Sequence, residues 1–210
     1  MTSRIILADD HAIVRQSLKL LLAGEGYHVT AEAANGAEAV ELAAKLFPQI
    51  AILDIGMPVL NGIEAAREIL RVSPRTKIVM LSMYSDDLYV VRALQAGVTG
   101  YVLKSRAADD LMQALRSVES GNMYLSPGVS RAVVQCMLNR NDPDQEVLSP
   151  RELQVLQLIA EGLTSKAIAS TVGVSPKTIE SHRARMMTKL NVHETASLVM
   201  YAVRRGLVQP

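Results

Sequence analysis

Cysteine is almost missing from this chain: there is one, Cys136, in 210 residues. A single thiol excludes an intramolecular disulfide framework and a cysteine-based zinc cluster, and it fits a reducing compartment. Long apolar runs are missing too. No stretch approaches the roughly 20 residues that cross a bilayer, and the opening MTSRIILADDH lacks the extended apolar segment of a secretory signal. The expectation is a soluble, cytoplasmic protein with no membrane partner. Strong charge of either sign is also absent, the formal net charge being +1. That balance hides an asymmetry. Residues 1–125 hold 12 Lys/Arg against 14 Asp/Glu, a net of −2, while residues 146–210 hold 8 against 5, a net of +3. A slightly acidic front and a basic tail point to a polyanion as partner of the tail alone. What is plentiful is apolar surface to bury: 49% of residues are hydrophobic, which supports real cores and excludes a disordered chain.

The front segment alternates two kinds of pattern. RIILA (4–8), HVTAEAA (28–34), QIAILD (49–54), KIVMLS (77–82) and GYVLK (100–104) read as five strands, several of them near-continuous apolar runs. Between and after them, stretches such as GAEAVELAAKLF and AADDLMQALRSVESG have apolar residues at helical spacing. Five such units predict an α/β fold with a five-stranded, doubly wound parallel sheet over residues 1–121. Gly24, Gly36, Gly97 and Gly121 fit helix ends. Residues 122–147 read as a linker: a helix over 126–138, then the polar, Pro143-interrupted stretch 139–147. From 148 to 210 every periodicity is helical, which predicts a second, all-α domain.

The third strand ends in AILDIGMP, an aspartate at the mouth of a hydrophobic run. Ligands of an open parallel sheet sit at the carboxyl ends of its strands. That edge collects Asp9 and Asp10 after the first strand, Asp54 on the third, Ser82 on the fourth and Lys104 after the fifth. Singly, Asp9, Asp10 and Lys104 read as a capping acid, a helix cap and a solvated charge. Together they describe a site: crowded carboxylates repel unless a cation joins them, and hard oxygen donors suit Mg²⁺. Ser82 can hydrogen-bond a phosphoryl oxygen and Lys104 can neutralise another. The chemistry that follows is phosphoryl transfer onto Asp54 as nucleophile.

The motifs ADDH, LDIGMP with NG, MLS and GYVLK, in that order, resemble a CheY-like receiver domain of two-component signalling across residues 1–121. The resemblance implies a flavodoxin-like fold and phosphorylation of Asp54 by a sensor histidine kinase. It implies Mg²⁺ held by Asp10, Asp54 and the backbone carbonyl of Gly56, with Asp9 assisting through water. It further implies a Ser82/Tyr101 switch pair and Lys104 as the phosphate contact. Gly56 and Tyr84 flank the site and would tune the lifetime of the phosphoryl group. Pro58 and Gly62 read as turn residues, and His11, at the start of the first helix, as a capping or structural residue. Where receivers frequently have proline after the lysine, this chain has Ser105.

The tail opens with LSPRELQVLQLIAEG, in which Ser149 fits an N-cap, Pro150 the first helical position and Glu152 the closing member of a capping box. Two further helices follow, joined by a tight turn at 172–175, with Ser175 and Pro176 repeating the cap and first-turn proline. Ile168, Val172, Ile179, Met186 and Leu190 have the spacing of a buried face. A short helix, a glycine-containing turn and a basic second helix describe a helix-turn-helix, whose second helix enters the major groove of double-stranded DNA. The candidate DNA face is Lys177, Thr178, Ser181, His182, Arg183 and Arg185, with Lys166 and Lys189 as phosphate contacts. Glu180 is the exception among them: phosphates repel it, but it can accept from cytosine N4.

LSPRELQVLQLIAEGLTSKAIA and VSPKTIESHRARMMTKL resemble the LuxR-type DNA-binding domain nearly end to end. Receiver and tail together resemble a NarL/FixJ-type response regulator. This implies a transcription factor rather than an enzyme, controlled by phosphorylation of Asp54 through dimerisation or release of the DNA-binding domain. It also implies a last helix, ETASLVMYAVRRGLV, used in a homodimer. Its Leu198, Val199, Tyr201 and Ala202 are dimer candidates equally explained as core. Two alternatives stand beside this reading. An aspartate nucleophile with Mg²⁺ also suits a haloacid-dehalogenase-type phosphohydrolase, although Gly56 stands where such enzymes have a second aspartate. A receiver-controlled module binding RNA or protein is the other.

Overall fold

The computed structural model describes residues 3–83, 87–127, 129 and 148–208, and it divides into two compact units. The first carries β1 (Arg4–Ala8), α1 (Ala12–Gly24), β2 (His28–Ala33), α2 (Gly36–Leu46), β3 (Ile50–Asp54) and α3 (Gly62–Val72). It continues with β4 (Lys77–Ser82), α4 (Asp87–Gln95), β5 (Gly100–Leu103), a 3₁₀ turn (Lys104–Arg106), α5 (Ala107–Glu119) and β6 (Tyr124–Leu125). All pairings are parallel, in the order β2-β1-β3-β4-β5-β6. The order turns back on itself between β1 and β3, so a crevice opens beyond their carboxyl ends, where Asp9 and Asp54 lie.

Burial explains the strands. Ile5, Leu7, Ile50, Ile52, Val79, Leu81 and Val102 pack on one face against Leu18 and Leu22 of α1 and Leu111, Leu115 and Val118 of α5. The alternate residues Ile6, Ala8, Ala51, Leu53, Met80 and Tyr101 fall on the opposite face and are equally enclosed. Each large aliphatic side chain so buried contributes about 1.5–3 kcal/mol. The first helix of the opposite face, α2, is capped by Asn35, whose side chain accepts from the Glu38 amide.

The expected sheet of five strands is in fact one of six. The addition, β6, lies within the predicted linker. Two residues are too few for any periodicity to register; backbone partners make them a strand. Tyr124 N–H donates to Thr99 O at 3.0 Å and Ser126 N–H to Tyr101 O at 2.9 Å. Most of the helix expected over 126–138, and all of the polar stretch 139–147, lies outside the described residues.

The second unit is all-helical among its described residues: α6 (Pro150–Ala160), α7 (Ser165–Val172), α8 (Pro176–Leu190) and α9 (Thr195–Arg204). Its start signals work as read from the sequence. Ser149 and Glu152 form a reciprocal capping box with Pro150 in the first turn, and Ser175 accepts from the Thr178 amide with Pro176 following. Gly173, at φ 69°, takes the left-handed conformation that lets α7 stop and α8 begin after a short turn. Ile168, Ile179 and Met186 are fully buried with Leu153, Leu156, Leu198 and Ala202, and Val172 and Leu190 pack against them.

Candidate functional site

Asp54 is the last residue of β3, and β1 beside it delivers Asp9. Both are buried, Asp9 completely. Lys104, opening the 3₁₀ turn after β5, reaches across to both, with Nζ 2.7 Å from Asp9 Oδ2 and 3.0 Å from Asp54 Oδ1. The other Asp9 oxygen accepts from His11 N–H at 2.8 Å. Burial pushes the Asp54 carboxyl above its ordinary range, and the neighbouring Asp9 and Asp10 push it further against the pull of Lys104. Burial works to lower Lys104, but its hydrogen bonds and attractions to Asp9 and Asp54 outweigh that, and it stays above its usual value. The two directions agree physically. One ammonium shared by two carboxylates is held firmly charged, while Asp54 receives only part of it. Three carboxylates against one ammonium leave an excess of negative charge, and the donors are hard oxygens. This fits a divalent cation.

Asp10 is more exposed and turns Oδ1 to within 2.7 Å of His11 Nδ1. The tightest grouping of potential ligands among the described residues is therefore Asp9, Asp10 and His11, all within 4.8 Å of one another. Asp54 joins Asp9 through Lys104 instead. His11 occupies the N-cap position of α1, but its side chain makes no capping bond, so its contact is with the acid pair. Gly56 lies in the loop directly after β3; Tyr84 is outside the described residues. The Lys104–Ser105 bond is trans, as is every other peptide bond among the described residues.

Ser82 ends β4 and Tyr101 lies in β5 opposite Met80. Both are 0% exposed. An inward swing that buries them is thus not available, and any switching must redirect hydroxyls already enclosed.

Gly62 has a stricter role than the turn residue expected of it. A Cβ there would stand 2.0 Å from the Asp54 carbonyl oxygen and 2.8 Å from its carbon. The first residue of α3 must be glycine because the helix starts against the backbone of the phosphoacceptor candidate. Asn61 sets that start, its side chain accepting from the amides of Ile63 and Glu64.

In the second unit, the exposed stripe of α8 carries Lys177, Ser181 and Arg185, at i, i+4 and i+8. Lys166 on α7 is exposed as well. The remaining candidates are differently placed. Thr178 Oγ1 sits 2.9 Å from Ser175 Oγ in the capping turn. Glu180 is exposed and accepts from the Ser165 hydroxyl. Arg183 donates to Thr195 Oγ1 at 2.8 Å. His182 is half-buried, and burial together with Arg185 lowers its pKa. Lys189 is exposed and pairs within its own unit, 2.7 Å from the buried Glu152 carboxylate. Burial would raise Glu152, but Lys189 and Ser149 hold it below its ordinary value.

The dimer candidates divide between core and half-buried positions. Leu198 and Ala202 are fully enclosed in the core of their own unit, with Val199 and Tyr201 packed against it. Leu198, Tyr201 and Ala202, at i, i+3 and i+4, lie toward the inward face of α9. On its outer side, Met200 is 53% exposed.

Two family descriptions match the chain: response regulator receiver domain over residues 5–116, and bacterial regulatory proteins of the luxR family over residues 146–202. The oxygen regulatory protein NreC of Staphylococcus epidermidis is 36% identical over 216 residues, spanning 98% of this chain and 99% of its own. RcsB of Salmonella enterica serovar Typhimurium, solved bound to promoter rprA with the phosphomimetic BeF3⁻, matches with a TM-score of 0.59 at 31% identity. That match covers 95% of this chain and 98% of the other. A structure of two RcsB dimers bound to two parallel DNAs matches with a TM-score of 0.59 at 30% identity, over 96% and 98%. Among the described residues no helix is long and apolar enough to cross a membrane.

Proposed function

The chain belongs to the NarL/FixJ-type two-component response regulators, DNA-binding proteins with a receiver domain and a LuxR-type helix-turn-helix domain. From that premise we propose that transfer of a phosphoryl group from a sensor histidine kinase to Asp54 controls how α8 engages double-stranded DNA. The observation that carries this is the placement of Asp54, a buried carboxylate in negative excess, 3.0 Å from the Lys104 ammonium that it shares with Asp9.

An Asp54 carboxylate oxygen attacks phosphorus, the bond from phosphorus to the donor imidazole nitrogen breaks, and that nitrogen takes up a proton. Lys104 can then exchange Asp9 for a phosphoryl oxygen, and the Ser82 hydroxyl can turn to another. Asp9, Asp10, Asp54 and the Gly56 carbonyl would hold Mg²⁺, whose charge offsets that of the incoming phosphoryl oxygens. A first domain that extends past 121 to take in β6, a linker beyond it and a second domain over 148–210 belong to this reading, as does a homodimer on phosphorylation.

For DNA, Lys177, Ser181 and Arg185 form the groove-facing stripe, Lys166 touches phosphate, and Glu180 accepts from cytosine N4. Lys189 is paired with Glu152 yet 42% exposed, so it steadies its own unit and stands beside Lys166 as a phosphate contact. Intact-mass measurement after incubation with a small phosphodonor and Mg²⁺ tests the first step. One phosphoryl group is expected on the wild type and none on Asp54→Ala. Continued turnover of the donor in molar excess would favour a phosphohydrolase instead.

A further inference from the structure

Ser126 is a fully buried serine immediately after β6, and its N–H and hydroxyl make three hydrogen bonds. Its N–H donates to Tyr101 O at 2.9 Å, its Oγ accepts from Leu103 N–H at 3.1 Å, and its hydroxyl donates to Asp110 Oδ2 at 2.5 Å. Asp110, in the first turn of α5, is itself buried. The same carboxylate oxygen takes Arg106 Nε at 3.1 Å. Arg106 closes the 3₁₀ turn that Lys104 opens. Two routes therefore end at one serine. One runs from Lys104 through a single turn to Arg106, Asp110 and Ser126. The other runs from Tyr101, the switch tyrosine, through its own carbonyl.

We propose that Asp110 and Ser126 are positioning residues that report the state of Asp54 to β6, the strand from which the chain continues toward the DNA-binding domain. The idea rests on phosphate control through Asp54. When a phosphoryl group draws Lys104 from Asp9, the 3₁₀ turn shifts and carries Arg106 with it. Asp110 then loses the guanidinium that fixes its carboxylate in place, and with it the orientation in which it holds Ser126. β6 is short enough to respond: it is tied to β5 by only the pairs Gly100↔Tyr124 and Tyr101↔Leu125. A longer strand would not yield to the loss of one side-chain anchor. Burial also makes the pair selective. An enclosed carboxylate favours a charged or hydroxyl partner strongly, so Asp110 is well held or poorly held with little between.

The test is amide hydrogen exchange of residues 122–127 in the full-length protein, with and without beryllofluoride and Mg²⁺, for wild type, Asp110→Asn, Ser126→Ala and the double variant. In the wild type the mimic should speed exchange there roughly tenfold, the scale of one lost charge-assisted bond. Each variant should exchange fast without the mimic and respond to it no further, and the double variant should behave as either single one. Phosphoryl uptake at Asp54, followed by intact mass, should persist in all of them. A purely structural role would leave the mimic's effect in place on top of faster exchange, and that result overturns the proposal. So does a wild type that takes up phosphate while exchange at 122–127 stays constant; phosphate control itself would survive that outcome. Failure of the wild type to take up phosphate at all would sink both.

Discussion

Lys104 Nζ stands 3.0 Å from Asp54 Oδ1, and the same nitrogen is bonded to Asp9. Among the described residues, Lys104 is the one lysine or arginine side chain paired with these two buried acids. Removing it by Lys104→Gln leaves both carboxylates uncompensated, for which about 3–5 kcal/mol of stability should be lost. Mg²⁺ should restore part of that loss. Urea denaturation of wild type and variant, each with and without Mg²⁺, measures both effects.

Asp54 contributes in the opposite sense. Its carboxyl lies above the ordinary value chiefly through burial, so its charge is less favoured in the folded state than in the unfolded chain. Asp54→Asn should therefore raise the thermal midpoint in the absence of Mg²⁺ and abolish the further gain that Mg²⁺ gives. A lower midpoint for the asparagine variant would mean that the Lys104 attraction outweighs the burial.

Acid should loosen the DNA-binding domain through Glu152. That carboxyl is held below its ordinary value in the folded state, so its contribution is present above the usual glutamate range and fades as pH falls through the folded value. Glu152→Gln should flatten the fall in stability below about pH 4.5. The companion Lys189→Ala should lower stability at neutral pH, with a smaller effect on DNA affinity than on folding.

Gly62→Ala places a methyl group 2.0 Å from the Asp54 carbonyl. Backbone must move to admit it. A loss of about 1–3 kcal/mol is expected from overpacking, and phosphoryl uptake should slow more than stability alone explains, because Asp54 moves with its carbonyl. Unaltered uptake would show that the close approach serves folding only.

Much of this architecture is legible in the sequence because burial writes long patterns. The runs RIILA and KIVMLS are strands at both predicted ends, and Ser149, Pro150 and Glu152 announce α6 three residues deep. Side-chain allegiance is less legible. Lys189 and Arg185 are both exposed basic residues on α8, yet only Lys189 pairs with Glu152, and only three-dimensional neighbours decide that. The spacing of Leu198 and Ala202 marks a buried face without saying whose core it enters. β6 lay below any periodicity, and Ser126 carried no signal beyond a serine before a proline. Gly62 was visible as half of an NG pair; the contact that demands it was not.

Control of DNA binding by phosphate at Asp54 is tested most directly by selection from a random DNA pool. The full-length protein would be used with Mg²⁺ alone and with Mg²⁺ and beryllofluoride. Strong enrichment of one inverted repeat, much greater with the mimic, is the predicted result, and it would also supply the operator and the dimeric mode. Equal enrichment in both states would contradict phosphate control, and no enrichment in either would direct attention to RNA or protein as the partner of the basic domain.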